Sequence, residues 1–114
     1  MLVSFSVAPS GTGSDDGSVH NDGSVRDAVA AAVRIVRESG LPNHTDAMFT
    51  TIEGDWDSVF DVIKRATEAV GAYGSRVSLV LKADIRPGWS GELTAKLERL
   101  EAALEGQERP APQI

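Results

Sequence analysis

The sequence predicts an α+β domain, and three observations carry that prediction. Residues 75–86 alternate, with Val77, Leu79, Leu81, Ala83 and Ile85 on one side and Arg76, Ser78, Val80, Lys82, Asp84 and Arg86 on the other. Residues 2–8 alternate in the same way, with Val3, Phe5 and Val7 against Ser4 and Ser6. A period of two marks strands with one apolar and one mostly polar face. Between and after these strands, apolar residues recur at helical spacing, so helices are available to cover the apolar faces.

Taken in order, the first strand ends at Pro9, and Ser10 to Gly23 reads as a loop rich in Gly, Ser and Asp. Ser24 and Asp27 have capping-box spacing, and Val25, Val29, Ala32, Val33 and Val36 form the stripe of a first helix. Gly40 suits the C′ position, and Pro42 prevents continuation. Residues 43–54 hold two short strands with a turn near Ala47-Met48, the second (Phe49 to Glu53) being the stronger. Asp55 caps a second helix with a stripe of Trp56, Val59, Phe60, Ile63, Ala66 and Val70, ended by Gly74. The strand at 75–86 follows and has the length of a central strand. Ser90 then caps a third helix, striped by Leu93, Leu97, Leu100 and Leu104. The order β-α-β-β-α-β-α predicts a ferredoxin-like βαββαβ sandwich with an additional C-terminal helix. Right-handed crossovers place both helices on one face of the sheet. Ser4, Ser6, Thr51, Glu53, Ser78, Val80, Lys82 and Asp84 are expected on the other. Residues 1–105 read as a single domain and 106–114, with Pro110 and Pro112, as a flexible tail.

Composition narrows the function classes. The chain has 114 residues and a formal net charge of -6, which argues against a nucleic-acid partner, since phosphate binding needs clustered Lys and Arg. With no cysteine, disulfides, thiolate nucleophiles and Cys-ligated metals are excluded. The N-terminal run is too short and lacks the basic residues of a signal peptide, and no stretch is long enough to span a membrane, so a cytoplasmic protein is expected. His44 and Asp46 are too few to predict a metal, and His20 lies in the loop. No nucleophile motif or phosphate-binding lysine loop is present. No cofactor is expected.

Several stretches carry a resemblance when taken together. These are the first strand with Pro9 and Gly11-Thr12; Val33 to Pro42; Met48-Phe49-Thr50-Thr51-Ile52-Glu53-Gly54-Asp55-Trp56-Asp57; and Arg76-Val77-Ser78 with Lys82, Asp84 and Arg86. In order and spacing they resemble the small thiamine-binding protein family, the single-domain relatives of YkoF-type proteins. The resemblance implies a ferredoxin-like fold, dimers or tetramers, binding of thiamine or its hydroxymethylpyrimidine part, and no catalysis. By position it implies roles for Thr12, Thr50, Glu53, Lys82, Asp84 and Arg86. The chain departs from the family pattern in a longer loop at 14–23 and in Phe49, a bulky ring where a glycine is expected.

Read as chemistry, Glu53 and Asp84 suit a cationic thiazolium or the amino group of a pyrimidine, whereas their bland role is cross-strand pairing with Lys82 or Arg86. Thr50 is expected by alternation to face the helices. Ser4, Ser6 and Ser78 make a smooth patch for a flat ring or for a second subunit. Trp56 and Trp89 read as core or interface. The candidate ligand-binding set is thus Ser6, Thr12, Thr50, Glu53, Lys82 and Asp84. A structural or regulatory oligomerisation module without a ligand is the main rival reading. A dimeric α+β-barrel enzyme is a third, but it wants an acid–base set on the sheet and finds only His44.

Overall fold

The structure, a computed structural model, describes residues 1–11 and 22–107. Thr12 and His20, most of the 14–23 loop and the tail beyond Gln107 lie outside the described residues. The elements are β1 (Leu2–Ser10), α1 (Asp22–Glu38), β2 (Asn43–Thr45), β3 (Thr50–Glu53), α2 (Trp56–Gly71), β4 (Arg76–Asp84) and α3 (Glu92–Gly106). The four strands form one antiparallel sheet in the order β2-β3-β1-β4. This is the expected ferredoxin-like arrangement with an added helix.

The register bears out both face assignments. Val3, Phe5 and Val7 lie opposite Ala83, Leu81 and Leu79 on β4, and Val3 lies opposite Ile52 on β3. Val3, Phe5, Val7 and Ile52 join Ala28, Ala32 and Val36 of α1 and Val59, Val62, Ile63, Ala66 and Val70 of α2 in the core. The opposite face carries Ser4, Ser6, Thr51, Glu53, Val80, Lys82 and Asp84.

Several expectations need correction. The strand at 75–86 is not central: β4 sits at the edge of the sheet, and β1 holds the centre. Leu79 and Leu81 point to the helix side but stay 39% and 38% exposed, because α2 lies between β1 and β4 and leaves the outer margin of the edge strand open. On α1 the stripe is rotated: Ala28, Ala32 and Val36 are buried, while Val25 and Val29 are exposed. The helix also begins at Asp22, which puts Ser24 inside it rather than at its cap. Finally, α2 ends at Gly71, short of Gly74, and Trp56 at its start is exposed rather than core.

Local signals that need no long-range partner are met. Gly40, at φ 78, follows the last turn of α1, where the Ser39 N–H donates to Ile35 O at 3.1 Å. That left-handed conformation favours glycine. Asp46 closes the β2–β3 turn by accepting from the N–H groups of Met48 and Phe49 at 2.8 and 2.9 Å. Asp55 caps α2, accepting from the Ser58 N–H at 2.8 Å. These hydrogen bonds hold both carboxyls below the ordinary Asp range: the amides of Met48 and Phe49 at Asp46, the amide and hydroxyl of Ser58 at Asp55. A depressed folded pKa contributes stability that is full above the unfolded value, near ~3.9, and lost as pH falls through the folded one. Asp55→Asn is therefore expected to lower the melting temperature at neutral pH, with the gap to wild type closing as the solution is acidified below about pH 4. Thermal melts across pH check this; a gap independent of pH would mean that Asp55 does not act through its charge.

Candidate functional site

β1 brings two of the predicted carboxylates together. Leu2 lies opposite Glu53 on β3 and opposite Asp84 on β4, so both acids sit at one end of the sheet on its open face. The chain then returns over this end as α3. Glu53, only 6% exposed, accepts hydrogen bonds from the N–H groups of Glu92 (Oε2, 2.7 Å) and Leu93 (Oε1, 3.4 Å). Asp84 pairs with Lys96 on the next turn of the helix. Neither acid pairs with Lys82 or Arg86. Both hold the start of α3.

The expected cap of α3 is thereby corrected. The N-cap residue is Gly91, at φ 69, not Ser90, and it makes no side-chain cap bond. Glycine tolerates that backbone but has no oxygen to offer the orphan N–H groups of the first turn. A strand carboxylate from elsewhere in the chain satisfies them, with the favourable sign for a helix N-terminus. Glu92, also buried, is neutralised by Arg99 at 2.9 Å.

Beside Glu53 lies a cleft of ≈ 470 Å³. Met1, Glu53, Gly54, Asp55 and Trp56 form one wall, and the segment from Ile85 to Ser90, including Trp89, forms the other. The lining is mainly apolar. Arg86 lies over the Trp89 ring, 3.5 Å from its centroid, and Trp56 stacks on Phe60 with centroids 5.1 Å apart. The size falls in the range of small-molecule sites, about 300–1,000 Å³. The two tryptophans are partly exposed and line the same cleft as the buried carboxylate, a setting suited to a flat cationic or amino-bearing ring.

The other predicted site residues lie apart. Lys82 and Asp84 border a depression of ≈ 430 Å³ on the open face, with Ser4, Thr51 and Lys96. Ser6 and Thr50 border a groove of ≈ 200 Å³ between α1 and the β2–β3 turn, where Phe49 also lies. Thr50 faces the helices, as alternation predicts, and its hydroxyl lies 3.1 Å from that of Thr45. Sequence reasoning missed Trp56 and Trp89 as cleft walls. Their positions just after Asp55 and Gly88, at the ends of turns, were the available signal. Among the described residues no three His, Asp or Glu side chains converge as a metal site requires, and no helix is long and apolar enough to cross a membrane.

A family model described as thiamine-binding protein matches residues 3–101. The chain belongs to the thiamine-binding protein family. Within and around this family, it is 49% identical over 105 residues to the UPF0045 protein Mb1933 of Mycobacterium bovis, covering 91% of this chain and 94% of that one. It superposes on a Bacillus cereus structure of the domain of unknown function DUF77 with TM-score 0.67 and 32% identity, covering 88% and 90% of the two chains. A proposed thiamine biosynthesis/salvage protein of Thermotoga maritima shares the fold, with TM-score 0.66 at 21% identity over 86% of this chain and 97% of that one. The two solved structures share the fold over most of their length and of this chain.

Proposed function

We propose that this chain is a non-catalytic, cytoplasmic binding protein for thiamine or its hydroxymethylpyrimidine moiety, acting as a homodimer or homotetramer. Membership of the thiamine-binding protein family supports the ligand class, and the resemblance of the Thermotoga maritima fold points the same way. The observation that carries the site is the cleft between Trp56 and Trp89 with the Glu53 carboxylate beside it. An aminopyrimidine donates to a carboxylate, a thiazolium is attracted by it, and both rings stack on indole. The reading assigns the ligand to Glu53, Trp56 and Trp89. Ser6, Thr50, Lys82 and Asp84 border other depressions and are assigned lesser roles, and Thr12 lies outside the described residues.

Calorimetric titration tests this. Thiamine or hydroxymethylpyrimidine is expected to give saturable heat. Glu53→Gln is expected to weaken binding by about 1–3 kcal/mol, and Trp89→Ala by about 1 kcal/mol. No heat and no melting shift at millimolar ligand would remove the reading. The rival, an oligomerisation module without a ligand, draws on Glu53 and Asp84 both being engaged by α3; it expects an intact oligomer and no heat.

A further inference from the structure

We propose that a ligand in the Glu53 cleft acts as a clasp that fastens α3 to the domain, so that occupancy sets how firmly the third helix is held. The inference rests on the reading that this cleft takes thiamine or its pyrimidine.

Three features of the cleft carry it. One wall, with Glu53 and Trp56, belongs to the body of the domain, while the other, Ile85 to Ser90, is the tether that leads directly into α3. A ring held between them touches both walls only when α3 is seated. Next, the Glu53 carboxylate already receives the Glu92 and Leu93 N–H groups. A carboxylate has about four acceptor positions, so two remain for an amino group in the cleft. The same anion thus serves helix and ligand at once. Third, the tether carries Gly88 and Gly91, both in the left-handed region, so its course depends on residues with little intrinsic stiffness.

The seating of α3 is otherwise light. Its remaining anchors are the partly exposed Lys96–Asp84 pair, the buried Glu92 and the half-buried Leu93 and Ala95. Its leucines at 97, 100 and 104 stay 53–57% exposed. A helix of this length is marginal without packing. A ligand that binds the seated state better must stabilise it, and by linkage the seated helix must tighten the ligand by the same factor.

Two measurements on the full chain test the clasp. Hydrogen exchange with and without saturating thiamine is expected to slow at the amides of Glu92 to Leu97 by about tenfold, within the usual range of coupling between sites. In the reverse direction, Ala95→Pro breaks the Ala95 N–H to Gly91 O bond in the first turn without touching the cleft. It is expected to weaken thiamine binding by about the same tenfold. Thiamine heat with unaltered exchange in α3 overturns the clasp and leaves the binding reading standing. Wild-type affinity in a folded Ala95→Pro variant also overturns it. Absence of heat from the wild-type protein overturns both. If Ala95→Pro does not fold, the exchange measurement on the wild type decides alone.

Discussion

Ile52→Asp will leave no cooperative unfolding transition, and Ile52→Ala will cost about 2–5 kcal/mol, the range for emptying a packed aliphatic site. Ile52 is fully buried on β3, opposite Val3 of β1, in the core cluster shared with residues of α1 and α2. A domain of this size has roughly 5–15 kcal/mol in all, so either change removes a large share. An unpaired carboxylate there would have no solvent and no partner. Leu79→Asp on the edge strand is the contrast. It points to the same side but keeps 39% of its surface in water, so the new charge stays solvated and the domain folds with a smaller loss. Urea titrations followed by far-ultraviolet dichroism separate the two. Equal loss of structure in both variants would mean that the margin of β4 is covered after all.

That contrast shows what was legible in the sequence. Alternation in β1 and β4 revealed which side chains share a face, because a period of two is a local property of the backbone. It could not reveal that β4 is an edge, since strand order depends on pairings that span most of the chain. The caps of α2 and α3 divide in the same way. Asp55 lies three residues from the amide it serves and is readable. Glu53 lies 39 residues from Glu92, so its role at α3 is invisible to spacing. Resemblance marked Glu53 and Asp84 as important without saying why. The structure brings them to one end of the sheet and supplies a physical role, holding a helix whose own cap residue has no side chain. Trp56 reads as part of the core stripe because aromatic residues next to a helical stripe usually belong to it. Trp56 instead sits at the first position of α2, beyond the reach of the core.

Light scattering is expected to report a dimer or tetramer. Leu93, Leu97, Leu100 and Leu104 are spaced by four, three and four residues, the repeat of a helix that packs on another helix. Val80, 58% exposed, stands on the open sheet face among small and charged neighbours. Leu100→Glu and Val80→Arg each place a charge where a second copy would press. A change of this kind at the centre of an interface costs about 2 kcal/mol or more, roughly thirtyfold in the dissociation constant. Both variants should sediment as smaller species with unchanged far-ultraviolet dichroism. A wild-type monomer at micromolar concentration would sink this expectation and leave the open face as a solvated surface.

The longest ladder in the sheet joins the first strand to the last, from Leu2 opposite Asp84 to Ser10 opposite Arg76. During synthesis β1 leaves the ribosome early, yet its neighbour on one side does not exist until most of the chain has been made. At roughly 5–20 residues per second, the apolar row of Val3, Phe5 and Val7 waits several seconds with one flank bare. Pairings so distant along the chain also slow refolding from denaturant, because loop closure must precede the contacts that reward it. The strand at the centre of the finished sheet is therefore the one whose neighbours arrive last, and the interval before β4 emerges is when the nascent chain is most open to chaperones and to aggregation.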